Sequence, residues 1–343
     1  MAHAREATLR PQFLSCQLCI TPGSRKSGKS NYILKIKYNY MQDSLPKPVW
    51  LKTRLPRTET YKQVRDVITG LGLHTVCSSA HCPNTAECWD SGSCTFMILG
   101  DTCTRACRFC AVSHSKTCPP IDTTEPWKLG TAAKMLDLDY IVLTSVDRDD
   151  LGDGGAGHYA DCIRTLREER PTAKVEAIIP DFSARLDSLG TIIMAAPDVV
   201  AHNVEVVKRL TPSIRDHRAS YEQSLGVLSY VKMMSPGTIT KTSLMLGLGE
   251  SRDEIKEAMI DIREAGVDIL TLGQYLRPGE GQAPVERYVS PHEFERLADY
   301  AKSLGFGYVA AGPFVRSSYH AADYFAFVAD VRNDLITERR EEG

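Results

Sequence analysis

The sequence contains no run of eighteen apolar residues, so no helix able to cross a bilayer is expected from it. It also has little net charge. Its 41 basic and 43 acidic residues leave −2, which gives no global field to gather nucleic acid or an anionic membrane, and neither is expected as a partner. Acids are scarce in one place above all. Before Asp43 a single acid, Glu6, stands against Arg5, Arg10, Arg25, Lys26, Lys29, Lys35 and Lys37. That bias reads as an organelle transit peptide over residues 1–46 rather than a secretory signal. The mitochondrial matrix is the expected destination and a plastid or apicoplast the alternative, because both kinds of transit peptide are basic and acid-poor. A disordered extension or a misplaced gene start is the competing reading. Cys16 and Cys19 in this stretch have no partner pair and read as incidental.

Cysteine is not lacking. There are eleven, yet they are not spread as a disulfide framework; six fall in two tight groups between 77 and 110. Clustering of that kind indicates metal, and metal indicates a reducing compartment. The later group is Cys103-Thr104-Arg105-Ala106-Cys107-Arg108-Phe109-Cys110, three thiols in one loop after the apolar run Phe96–Leu99. A [4Fe–4S] cluster normally takes four thiolates, one per iron, so three close ligands leave one iron open. A zinc knuckle or redox thiols are the bland alternatives, and three Cys without a fourth ligand nearby fit zinc poorly. The earlier group is Cys77, Cys82 and Cys88, whose wider spacing suits a loop around something larger than one zinc ion. His81 abuts Cys82, where both could hardly point at one metal, and reads as an exposed neighbour. Cys94, Cys118 and Cys162 lack ligand spacing and read as structural.

A polar lead-in from Lys47 is followed by an amphipathic helix through Tyr61, Val64, Val67 and Ile68. After Cys110, short apolar runs near 140–144, 174–179, 198–203, 242–246, 267–272 and 306–310 alternate with helical stretches at 157–169, 217–233, 251–265 and 290–304. Ser251 and Glu254 form a capping-box pattern, and Pro291 follows Ser290 as a first helical residue. Strand–helix alternation implies a parallel sheet. With Phe96–Leu99 there are six or seven strands, short of a closed eight-stranded barrel, so the expected fold is α/β: an open, partial (β/α)6-type TIM barrel. Such sheets carry their chemistry at the carboxyl ends of the strands, where Cys103–Cys110 falls. Residues 47–92 are then an N-terminal extension, 93–311 the barrel and 312–343 a C-terminal extension, its last part a helix grading into a charged end.

The C-x3-C-x2-C string, with Phe109 before its last Cys, resembles the signature of radical S-adenosylmethionine (SAM) enzymes. Both triads in this order, with Arg316-Ser317-Ser318-Tyr319 near the end, resemble the lipoyl synthase family. The resemblance covers about residues 48–325 and includes Thr144–Leu151, His202-Asn203-Val204-Glu205, Gly247-Leu248-Gly249-Glu250 and Leu272-Gly273-Gln274-Tyr275. It implies a radical SAM barrel that inserts two sulfur atoms, at C6 and C8, into an octanoyl chain held on a lysine of a carrier protein. No side-chain acid or base removes such a hydrogen, so a cofactor radical must do it.

The resemblance further implies two [4Fe–4S] clusters. Cys103, Cys107 and Cys110 would hold the one that reduces SAM, a co-substrate, to methionine and a 5′-deoxyadenosyl radical. Cys77, Cys82 and Cys88 would hold an auxiliary cluster that gives up its sulfur, with Ser318 as fourth ligand and Ser317 the second choice. Implied partners are an octanoylated glycine-cleavage H protein or the lipoyl domain of a 2-oxoacid dehydrogenase acyltransferase, an electron donor such as ferredoxin, and iron–sulfur carriers. Phe109 suits the adenine or ordinary core. Gly247, Gly249 and Glu250 would let backbone approach SAM or simply make a turn. Asn203 is a candidate polar contact, and Asp147–Asp150 either a solvated charge run or an ordering element of the cavity. Another two-cluster radical SAM sulfurtransferase, or a non-catalytic zinc or electron-transfer protein, are the competing functions.

Overall fold

The apolar runs form strands because side chains on both of their faces are covered, as a parallel sheet requires. Seven strands run parallel in chain order: β2 (Thr95–Ile98), β3 (Tyr140–Ser145), β4 (Lys174–Ile178), β5 (Val199–Ala201), β6 (Ile239–Leu246), β7 (Ile269–Gln274) and β8 (Tyr308–Gly312). An antiparallel β1 (His74–Thr75) is added at the β2 edge, with His74 opposite Met97. A two-residue strand carries no periodicity, and the sequence did not announce it. Among the described residues β8 pairs with β7 alone, so the sheet is an open, partial barrel. This computed structural model describes residues 45–53 and 55–328; the expected transit peptide, Cys16, Cys19 and the charged end from 329 lie outside the described residues.

The helices are α1 (Glu59–Gly70), α2 (Val76–Ser79), α3 (Thr85–Asp90), α4 (Glu125–Met135), α5 (Ala156–Glu169), α6 (Leu186–Met194), α7 (Thr211–Ile214), α8 (Tyr221–Met234), α9 (Arg252–Glu264) and α10 (Pro291–Ser303). Helix α9 starts on the expected capping box, with Ser251 and Glu254 each satisfying the other's backbone N–H. Ser290 caps α10 ahead of Pro291. Helix α8 begins at 221 rather than 217, because Ser220 accepts the Gln223 N–H as its cap. That leaves residues 216–219 free to serve the cysteine loop. No helix among the described residues is long and apolar enough to cross a membrane.

The chain beyond β8 does two things. Residues 313–320 come in against the strands, and Gly273 on β7 makes room: a Cβ there would strike the Val315 carbonyl oxygen. Residues 321–328 are helical and pack across the amino ends of the strands. Tyr324 stacks on Tyr308 at 4.7 Å, and its ring lies 5.5 Å from the Lys241 ammonium. Lys241 is fully buried and neutralised by Glu176 at 2.8 Å, and the Tyr140 hydroxyl donates to the same carboxylate at 2.7 Å. The amino end is thus sealed by a satisfied polar network, and the carboxyl end is left for chemistry.

Candidate active site

A pocket opens at the carboxyl ends of β3, β4 and β5, where parallel β/α sheets hold their ligands. Cys107 and Phe109 line one side, Thr144, Ser145 and Asp147 another, and Asp181, His202, Asn203, Glu205 and Arg215 the rest. The cysteine loop is anchored before it reaches the pocket. Thr102–Cys103 pairs with Ser113–His114 as a two-residue parallel ladder that closes the loop's base. The Thr104 N–H donates to the Asp147 carbonyl (2.9 Å), the Arg108 N–H to Ile214 (2.8 Å) and the Ala106 N–H to the Asp216 carboxylate (2.9 Å).

Each sulfur of this loop already faces backbone donors. Arg105 and Asp147 N–H groups point at Cys103 Sγ (3.4 and 3.3 Å), Asp216 N–H at Cys107 Sγ (3.3 Å), and Val112 N–H at Cys110. Burial pushes the Cys103 and Cys107 thiols up to about 12, so as free thiols they are neutral. Donors aimed at sulfurs that burial would otherwise keep neutral fit thiolates bound to metal. Among the described residues neither cysteine triad brings its three Sγ atoms within 4.8 Å of one another, as one tetrahedral zinc would need. Ligands on separate irons of a cluster tolerate the wider spacing.

The charge run at 147–150 is an ordering element, with its charges directed inward. The Arg105 guanidinium, between Cys103 and Cys107, is gripped by Asp181 (2.6 and 2.7 Å), Asp149 (2.9 and 3.0 Å) and Asp147 (3.3 Å). Burial raises Asp149, but hydrogen bonds from Arg105 and Thr104 outweigh it and hold the carboxyl near 2. At Asp147 desolvation prevails over the Arg105 charge, with Asp181 and Asp149 adding repulsion, and lifts the carboxyl to about 6. Arg148 pairs with Asp150 and donates to the Leu99 carbonyl. The Leu99 N–H is held from the other side by Glu125 (2.9 Å), which is bonded to His158 at 2.7 Å. The Glu125–His158–Cys162 trio groups three ligand types. Its 2.7 Å contact is a hydrogen bond, however, shorter than the ~3.3 Å between two ligands of a tetrahedral zinc.

His202 is buried, its Nδ1 on the Ile179 carbonyl (2.9 Å) and Nε2 on Ser224 Oγ (3.0 Å). Burial, then the nearby Arg215 charge, press its pKa from 6.5 down to about 4. The unfolded ring therefore takes a proton below about pH 6.5 that the folded ring refuses until about pH 4. The stability this ring supports is complete above pH 6.5 and is lost as pH falls toward 4, up to about 3 kcal/mol. His202→Gln should flatten the melting temperature against pH between 6.5 and 5; an unchanged slope would count against this assignment.

The second triad is built on two short helices. Cys77 lies on α2, Cys82 in the loop and Cys88 on α3, and the Thr85 hydroxyl ties the turn through the Cys77 and Cys82 carbonyls. Burial raises Cys77 to about 11 and Cys88 to about 12. The buried Trp89 indole N–H faces the Cys77 sulfur and meets no other acceptor, a donor that a metal-bound thiolate or sulfide would complete. Cys94 is buried near Cys77 and Cys88, and His81 is exposed as expected.

The Arg316–Tyr319 segment joins the two regions, since its adjacent serines point to different places. Ser317 Oγ donates to Asn203 Oδ1 at the pocket (2.9 Å), and Ser318 Oγ accepts from Thr95 Oγ1 near Cys77 (2.8 Å). Asn84 Nδ2 holds the Phe314 carbonyl (2.7 Å), and the Tyr319 hydroxyl donates to Glu87 (2.8 Å). Arg316 loses proton affinity to burial and regains some from Cys82 nearby.

Phe109 and Asn203 line the pocket as expected; Gly247, Gly249 and Glu250 do not. Gly247, at φ +103°, is pressed against Gln274 and the Arg287 carbonyl, so its missing side chain admits protein rather than ligand. Glu250 turns its carboxylate back onto the Gly247 and Leu248 N–H groups (2.7 and 2.9 Å). Arg215 was not foreseen. It is buried, donates to Ser224 Oγ (2.6 Å) and the Val204 carbonyl (3.4 Å), and leaves its Nε unpartnered. Nothing in its local sequence marks it, because the pocket is assembled from residues far apart in the chain.

A family model described as the radical SAM superfamily matches residues 97–262, and one described as the N-terminal domain of lipoyl synthase of the radical SAM family matches residues 19–82. The lipoyl synthase of Methanocella arvoryzae is 61% identical over 288 residues, 84% of this chain and 97% of its own. That of Myxococcus xanthus is 53% identical over 83% of this chain and 95% of its own. The chloroplastic lipoyl synthase of Arabidopsis thaliana is 48% identical over 82% of this chain and 73% of its own. Among solved structures HydG, a maturase of the [FeFe]-hydrogenase, superposes with a TM-score of 0.51 at 12% identity, over 68% of this chain and 54% of that one, a likeness of fold alone. On identity of this level along more than four-fifths of its length, the chain belongs to the lipoyl synthase family of the radical SAM superfamily.

Proposed function

We propose that Cys103, Cys107 and Cys110 hold the SAM-cleaving [4Fe–4S] cluster, and that Cys77, Cys82, Cys88 and Ser318 hold the auxiliary, sulfur-donating one. The enzyme inserts sulfur at C6 and C8 of an octanoyl-lysine on a lipoyl carrier protein. When bound, the two clusters and SAM supply the hydrogen abstraction and the sulfur, which no acid or base side chain could provide. The protein's own residues position and shield. Arg215, with an unpartnered Nε, suits the SAM carboxylate, and Asn203 a second polar group. Phe109 covers one wall against water. Arg105 locks the cysteine loop to the carboxyl ends of β3, through Asp147 and Asp149, and β4, through Asp181. The observation that carries the reading is the pair of adjacent serines, Ser317 at the pocket and Ser318 beside Cys77, which ties both triads to one short segment.

The finer partners belong to the same proposal: an H protein or an acyltransferase lipoyl domain as carrier, a ferredoxin-type electron donor, and iron–sulfur carriers that restore the consumed cluster. Anaerobically reconstituted protein should contain about eight irons, two [4Fe–4S] sets. With SAM, reductant and octanoylated carrier, mass spectrometry should find two sulfurs gained per carrier. SAM cleavage without sulfur gain would overturn the substrate assignment, and zinc in place of iron the whole reading.

Residues 1–46 are proposed as an organelle transit peptide, mitochondrial first and plastid second; chloroplastic relatives are consistent with the second. The family's N-terminal match starts at residue 19, inside this segment. A fluorescent fusion of residues 1–46 distinguishes the destinations, and a diffuse signal would refute targeting.

A further inference from the structure

Ser318 is assigned above as a ligand because of where its segment lies, which leaves open what fixes its oxygen. Three contacts tether residues 313–320 to the second triad's surroundings. Asn84 holds the Phe314 carbonyl and Glu87 the Tyr319 hydroxyl, but only Thr95 reaches the serine itself, Oγ1 to Oγ at 2.8 Å. Thr95 is buried at the first position of β2, and a buried hydroxyl needs an acceptor; Ser318 Oγ is that acceptor. The same residue's backbone N–H faces the Cys77 sulfur. Its place is set by the sheet rather than by a loop, for Thr95 is in register with Val142 on β3.

We infer that Thr95 is a positioning residue of the auxiliary site, holding a thiol and a hydroxyl from opposite ends of the chain at one fixed separation. The inference rests on the proposed ligand role of Ser318 and extends it. Cys77 lies 18 positions before Thr95 and Ser318 lies 223 after it; Thr95 donates its hydroxyl to Ser318 and turns its backbone N–H toward Cys77. A donor on the serine oxygen orients it and favours its deprotonated, metal-binding form, and removal of such outer partners typically costs about 10–100-fold in metal affinity. Thr95 therefore governs how firmly the fourth iron is kept, without touching it.

The test uses the full chain with Cys103, Cys107 and Cys110 replaced by alanine, reconstituted anaerobically so that only the auxiliary site is loaded. Iron transfer to a ferrous chelator is then timed. Thr95→Val keeps the β-branched shape and removes the hydroxyl; it should release iron at least about 10-fold faster. Thr95→Ser restores the donor and should stay within about twofold of the parent. In a Ser318→Ala background Thr95→Val should add nothing, which a packing role would not produce. Unchanged release in Thr95→Val, a Ser variant as poor as Val, or an effect that persists without Ser318 each overturns the inference alone. A parent chain that takes up no iron at this triad overturns the ligand assignment and the inference with it.

Discussion

Cys107→Ala is expected to reduce SAM cleavage to the uncatalysed background, with 5′-deoxyadenosine undetectable by chromatography and iron content falling from about eight to about four per chain. The reason lies in the loop's construction. Cys107 Sγ faces the pocket and receives the Asp216 N–H at 3.3 Å, and Ala106 beside it is fixed to the Asp216 carboxylate at 2.9 Å. No nearby thiol replaces it, because the loop backbone is held at Thr104, Ala106 and Arg108. Two thiolates cannot keep a cluster whose fourth iron must stay open for SAM. The fold should survive: Cys107 is only half-buried and its replacement leaves the Arg105 network intact, so the melting temperature should move little. Deoxyadenosine formed at the normal rate by this variant would remove the first cluster from Cys103–Cys110.

Ser318→Ala is expected to separate the two half-reactions. SAM cleavage should persist, since Ser318 bonds to Thr95 on the triad side and lies outside the pocket lining. Sulfur gain on the carrier should fall by about 100-fold or more, the upper end of what lost support of a metal site costs. Ser317→Ala makes the comparison specific. Its hydroxyl bonds to Asn203, so this change should raise the KM for SAM and spare sulfur transfer per cleavage event. Undiminished lipoylation by Ser318→Ala would refute the ligand role, and loss of it in Ser317→Ala instead would exchange the two serines.

Much of this molecule was legible before folding was considered. The two cysteine spacings, the apolar runs and the capping pattern of Ser251–Glu254 are local: ligand groups within a loop, strand burial and helix starts each depend on residues a few positions apart. Six or seven parallel strands and an unclosed barrel were the expectation from counting those runs; the structure has seven, and it alone supplies their order and the added antiparallel β1. Gly247 shows what local reading leaves undecided. A Gly-rich turn after a strand looks the same whether ligand or protein fills the space, and at Gly247 Gln274 and Arg287 fill it.

What the sequence determined by itself was therefore the family and its scaffold: a β/α strand pattern and the two cysteine triads that carry the resemblance. Only the tertiary structure decided who assists them. Arg105 meets Asp149 and Asp181, 44 and 76 positions away, and Ser318 meets Thr95 across 223. Such pairings arise from how strands stack and where the chain's end re-enters the barrel. No local pattern encodes them, because hydrogen bonds and desolvation are set by distance in space, not along the chain.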